Sequence, residues 1–199
     1  KEMIVEKVGY IPTMSQLYSI YNKNLVCVVH NLSSNIYKGD NPTIYIDYKS
    51  HPDVSCLDCV KMSCNIPLLF DKIISNKNYF VDGGASDNYP IKYSHEKYGG
   101  ETIGVFVGSL NYNIKDGEDD KINILSYIKR IAITPLINNN FSSVNYYKKG
   151  VTSVKIITND KMGIVPSSLK VSIDDNFKMF SIGYKCGNTI NENRKIKID

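Results

Sequence analysis

Leu25-Val26-Cys27-Val28-Val29-His30 is an unbroken apolar run bounded by Asn24 and Asn31, the pattern of a buried strand. Thr43-Ile44-Tyr45-Ile46-Asp47-Tyr48 alternates instead and predicts a strand with one exposed face. From Val54 the period lengthens: Val54, Leu57, Val60, Lys61 and Cys64 fall at three- and four-residue spacings, with Asp53 or Ser55 available as a helix cap. That helix has to stop near Asn65, because Pro67 disfavours the helical conformation in the residue before it. Tyr79-Phe80-Val81 predicts a short strand running into the Gly83-Gly84 turn. Pro90 can open a helix that continues to Tyr98 and closes at Gly99-Gly100. Thr102 to Val107 reads as another buried strand, and Asn111 to Asp120 as a polar, acidic surface loop. Ile124, Leu125, Ile128, Ile131 and Ala132 mark one helical face, interrupted at Pro135. Val151 to Ile157 predicts a last strand, and Phe177, Phe180 and Tyr184 a final helix. Strands alternating with helices imply a layered α/β fold with a largely parallel sheet. Neither internal repeats nor a linker interrupt it.

Composition narrows the function classes. At 199 residues the chain suits one domain, and 42% apolar with 22% charged residues is ordinary for a globular protein. No run of about 18 apolar residues occurs, and Lys1-Glu2-Met3-Ile4 does not open a signal peptide. The net charge of +4 is small, and no basic stripe with interleaved aromatics points to nucleic acid. Five cysteines fit no secreted disulfide framework. Cys56 and Cys59 have the CxxC spacing, but a second ligand pair for a metal is not evident, which leaves buried reduced thiols on a helix. These features imply an intracellular protein, in the cytoplasm or at a membrane surface.

Candidate chemistry centres on Asp82. It stands just past the end of a strand, on a turn where glycines permit positive φ and close approach of backbone to a substrate. Asp-Gly is also a common turn pair, so the residues alone leave catalysis and an ordinary turn both open. The flanking sequence decides more. Ser63-Cys64-Asn65-Ile66-Pro67-Leu68-Leu69-Phe70, a spacer, and Tyr79-Phe80-Val81-Asp82-Gly83-Gly84-Ala85-Ser86-Asp87-Asn88-Tyr89-Pro90 closely resemble the patatin-like phospholipase family. The family pattern is a small-residue helix end, Ile-Pro, an aromatic, a hydrophobic residue before Asp-Gly-Gly, and often Asp-Asn-x-Pro. Upstream, Leu25 to Leu32 and Val54 to Val60 are similar to its preceding strand and helix. Downstream, Tyr98-Gly99-Gly100 with Val105-Phe106-Val107, and Phe180 to Tyr184, are similar to later elements.

The resemblance implies a three-layer α/β/α fold with a mostly parallel central sheet, incomplete at the N-terminal side, with residues 1–199 as the C-terminal part of one such domain. It implies hydrolysis of phospholipid or other acyl-ester lipids by a Ser–Asp dyad, with Asp82 as general base and no metal or cofactor. His30, His51 and His95 have no role in that scheme. Gly83 and Gly84 are expected to shape the turn, Asp87 and Asn88 to cap the helix after Pro90, and Ile66-Pro67 to end one helix and pack it onto the sheet. The family's nucleophile lies in Gly-x-Ser-x-Gly, which this sequence does not contain. The dyad therefore calls for a segment N-terminal to position 1 as its partner. Two alternatives stand beside it: an inactive patatin-like fragment that binds or supports another molecule, and a scaffold in which Asp-Gly-Gly is only a turn.

Overall fold

A computed structural model describes residues 2–67, 70–109, 144–158 and 173–195. They fall into two compact units, one of residues up to Pro90 and the other of those from Ile91 onward. The loop expected at Asn111 to Asp120 and the helical face from Ile124 to Ala132 lie outside the described residues.

The first unit opens with two helices that the apolar pattern did not reveal, α1 (Glu2–Val8) and α2 (Met14–Tyr21). A signal for α2 was present: Thr13 and Gln16 form a capping box, in which each side chain satisfies the other residue's backbone N–H. The strands β1 (Cys27–Asn31) and β2 (Thr43–Ile46) follow, then α3 (Cys56–Ser63), β3 (Ile73–Ser75) and β4 (Asn78–Asp82). Of the two possible caps of α3, Ser55 is used. Its hydroxyl oxygen accepts from the Asp58 N–H at 3.1 Å and donates to the Asp58 carboxylate at 2.7 Å. The starts of α2 and α3 are stitched together, because the Met14 N–H donates to Val54 O and the Cys56 N–H to Pro12 O. The short strand β3 was not legible. It joins β4 through Asn76-Lys77, both at positive φ, which is the turn that matches strand twist, but without the glycine that usually marks it.

The sheet of this unit has the order β2-β1-β4-β3 and is antiparallel throughout, contrary to the parallel sheet expected. The alternating pattern still has a basis. β2 and β4 run in the same direction and α3 lies in the connection between them, as in a parallel crossover. They are not neighbours, because β1 lies between them and is antiparallel to each. The connections from β1 to β2 and from β3 to β4 are shorter than the dozen or so residues a parallel return needs.

One face of the sheet carries the core: Cys27 and Val29 of β1 and Ile46 of β2 pack with Met14 of α2 and Cys59 and Met62 of α3. Asp47, only 1% exposed, directly follows β2 and is committed to the turn there. Its Oδ1 accepts the backbone N–H groups of Lys49 and Ser50.

In the second unit, α4 (Ile91–Tyr98) follows Pro90 and ends at Gly99 and Gly100, both at positive φ. The strands β5 (Thr102–Ser109) and β6 (Val151–Thr158) pair in parallel and in register from Thr102–Val151 to Ser109–Thr158. The helix α5 (Ile173–Lys195) packs on β6. The expectation that β5 is buried on both faces fails. Gly104 is buried, but the alternate row Ile103, Val105 and Val107 is more than half exposed, since no described element lies over it. Phe177, Phe180 and Tyr184 are likewise exposed on α5. No described helix is long and apolar enough to cross a membrane.

All five cysteines are free thiols, and no cluster of three or more His, Cys, Asp or Glu among the described residues is arranged to hold a metal. Burial pushes the Cys59 thiol up to about 12 and the Cys27 thiol up to about 11, whereas Cys64 is exposed. Alkylation of the folded chain at pH 8 should modify Cys64 first and leave Cys27 and Cys59 unlabelled until unfolding, as peptide mass mapping would show. Met14→Ala should cost roughly 2–5 kcal/mol in urea unfolding, because Met14 is 1% exposed at the centre of the core.

Candidate active site

Asp82 is the last residue of β4, opposite Val29 of β1. The chain then turns through a single 3-10 turn at Gly83–Ala85, for which Asp82 is the cap: its Oδ1 accepts the Gly84 N–H at 2.7 Å. The carboxylate is half-buried. Burial pushes its pKa above the usual carboxylate range, and the Gly84 N–H pulls it part of the way back. Among the described residues Oδ2 accepts no hydrogen bond. One carboxylate oxygen is thus fixed by the backbone, and the other has no partner among the described residues.

The glycines act differently from the sequence expectation. Neither Gly83 nor Gly84 has positive φ. Gly83 is needed because a Cβ there would lie 2.1 Å from the Val28 carbonyl oxygen, so the turn passes directly against the β1 backbone. A Cβ on Gly84 would meet side chains and no backbone among its three nearest atoms, the Asn88 and Asp82 oxygens each at 2.9 Å and Asn88 Cγ at 3.4 Å. The Gly83 carbonyl accepts the N–H groups of both Ser86 and Asp87, which closes the turn.

Asp87 is tied down otherwise than as a helix cap: its Oδ2 accepts the Tyr45 hydroxyl of β2 at 2.6 Å. Asn88 is exposed, with its side-chain oxygen over Gly84. The packing role expected of Ile66-Pro67 falls instead to Asn65. α3 already ends at Ser63, and Ile66 and Pro67 are exposed. Asn65 is 4% exposed, its carbonyl accepts the Asp82 N–H at 2.9 Å, and its Nδ2 donates to the Phe80 carbonyl at 2.9 Å. Its position in the Ser-Cys-Asn-Ile-Pro segment was the available signal, but an Asn in a loop gave no hint that it faced the sheet.

Among the described residues no histidine hydrogen-bonds Asp82. His30 is opposite Val81, so strand alternation puts it on the other face from Asp82. Its Nδ1 is buried without a partner among the described residues, and burial lowers its pKa, which favours the neutral ring. His51 contacts the Ser50 hydroxyl and His95 the Thr102 hydroxyl.

Comparison with known proteins agrees with the segment that carries this geometry. Residues 32–94 match the family described as Patatin-like phospholipase, a span that runs through β2, α3, β3, β4 and the Asp82 turn into α4. The resemblance is thereby shown for that span. A protein named probable lipid hydrolase 463L, from Invertebrate iridescent virus 6, is 39% identical over 54 residues. The match covers 25% of this chain and 19% of that relative, so the chain spans well under two thirds of the curated relative it matches.

The two glycines give separable expectations. Gly83→Ala forces β1 and the turn apart and should lower stability by roughly 1–3 kcal/mol in urea unfolding. Gly84→Ala displaces side chains only and should cost less than about 1 kcal/mol.

Proposed function

We propose that this chain carries the acid–base half of a serine lipid acyl hydrolase of the patatin-like type, with Asp82 as general base. The observation that carries the reading is the Asp82 carboxylate, anchored through Oδ1, without a hydrogen bond to Oδ2 among the described residues, and held at a strand end within the segment that matches the family. In this reading residues 1–199 are the C-terminal part of one three-layer α/β/α domain, which works in the cytoplasm or at a membrane surface on phospholipid or another acyl-ester lipid. The nucleophilic serine belongs to a Gly-x-Ser-x-Gly segment N-terminal to these residues.

In this reading Oδ2 is the proton acceptor. Asp82 takes the serine proton as the hydroxyl oxygen attacks the ester carbonyl, and the tetrahedral intermediate collapses with loss of the alcohol, which recovers that proton. Asp82 then deprotonates a water that attacks the acyl-enzyme. The fatty acid leaves and the serine regains its proton. A carboxylate at its ordinary pKa is a weak base toward an alcohol, so the upward shift from burial favours this role.

In a protein that carries both halves, Asp82→Asn should lower ester turnover by about 10²–10⁴-fold; turnover within a few-fold of the unsubstituted protein would remove Asp82 from the mechanism. The acid limb of the rate profile should lie above the ordinary carboxylate range, because the base acts only when ionised. A fluorophosphonate probe should label the nucleophile-bearing protein and leave these 199 residues alone unlabelled. Labelling of a serine within them would overturn the placement of the nucleophile.

Stability has the opposite pH sign. A carboxyl whose pKa is raised on folding favours the folded state below its unfolded pKa, and that contribution is lost as the pH rises through the folded value. Asp82→Asn keeps an acceptor for Gly84 and removes a half-buried charge. Its melting temperature should therefore equal or exceed that of the unsubstituted chain at neutral pH, with the difference shrinking in acid. A less stable Asp82→Asn at neutral pH would mark Asp82 as a turn-building residue.

A further inference from the structure

We propose that Asn65 is a positioning residue for the Asp82 carboxylate, acting through the end of β4. The proposal rests on the reading of Asp82 as general base. It arises from a gap in the sheet. On one edge of β4 the strand β1 continues as far as the Val29–Asp82 pair, but on the other edge β3 stops at the Ile73–Phe80 pair. The last residues of β4 would have an open edge there. Asn65 occupies it with two hydrogen bonds on either side of Val81, its carbonyl accepting from the Asp82 N–H and its Nδ2 donating to the Phe80 carbonyl, each at 2.9 Å. One residue thus does the work of the missing strand segment.

Asn65 is itself well fixed. It is 4% exposed, and its N–H reaches the Met62 carbonyl in the last turn of α3, whose other face lies in the core. The position of the catalytic carboxylate is therefore referred to α3 on one side and to β1 on the other. The bond to Asp82 comes from the Asn65 backbone, and the side-chain amide adds the donor that ties the same residue to Phe80. An aspartate at this position, when ionised, would present an acceptor to the Phe80 carbonyl and a second negative charge beside Asp82, and alanine would remove the side-chain donor to that half-buried carbonyl. A base that must meet a serine hydroxyl within hydrogen-bond reach tolerates little drift, so a strand end held on both edges is a functional requirement as well as a packing one.

The test reads the Asp82 carboxyl directly, by carbon-detected NMR titration of the intact chain, and does not depend on catalysis. Burial is the larger influence on that carboxyl, so loosening the strand end admits water and should move the Asn65→Ala midpoint downward from the unsubstituted value. An unchanged midpoint in folded Asn65→Ala overturns the proposal. Should Asn65→Ala not fold, amide exchange in the unsubstituted chain decides. Protection of the Asp82 amide comparable with that of Val29 supports the proposal, and exchange as fast as that of a turn amide such as Lys77 overturns it. In a nucleophile-bearing protein, folded Asn65→Ala should lower kcat with KM little changed and shift the acid limb. Loss of activity in Asp82→Asn but not in Asn65→Ala would overturn the positioning role alone. Retained activity in Asp82→Asn would refute the general-base reading while leaving the titration result intact.

Discussion

The passage of Gly83 against the backbone of β1 is the constraint on which the rest of the site depends. At the end of β4 the chain must turn while still paired, and it does so with no room for a side chain beside the Val28 carbonyl. That contact sets the register that puts Asp82 opposite Val29. It also directs the next N–H, that of Gly84, onto the Asp82 carboxylate. Tight pairing, an anchored oxygen and a partly desolvated carboxyl are one arrangement seen from three sides.

The proposed general-base role of Asp82 needs no histidine in this arrangement. The backbone fixes one oxygen and so sets the orientation, while burial raises the pKa of the carboxyl above its usual range. His30 is close in sequence register but on the opposite face of the sheet, and burial favours its neutral ring. Sheet alternation alone separates the two groups.

The surroundings of the turn divide the labour. The core of α2, α3, β1 and β2 supplies rigidity on one face. Tyr45 holds Asp87, so the segment after the turn is attached to β2 and not merely to its own helix. Asp47 is nearly as buried as any apolar core residue, yet its carboxylate is taken up by two backbone N–H groups of its own turn.

Local chemistry was enough to read much of this from sequence. The apolar run at Leu25 to His30, the alternation at Thr43 to Tyr48, the period from Val54 and the glycines after Tyr98 each encode their element within a few neighbouring residues, and β1, β2, α3 and α4 appear where those patterns lie. Asp82 was visible because its turn chemistry is local too. Elements without an apolar pattern of that kind were missed, namely α1, α2 despite its capping box, and the three-residue β3. Strand order could not be read at all, since the pattern shows that β2 and β4 are linked across a helix but not that β1 lies between them. The use of Gly83 for close approach, the commitment of Asp87 to Tyr45 and the hold of Asn65 on β4 are contacts between residues 15 to 55 positions apart, and each depends on which backbone the fold brings alongside. The sequence by itself determined the elements and the chemical group. Only the tertiary structure decided how that group is held, because the partners that hold it are neighbours in space and not along the chain.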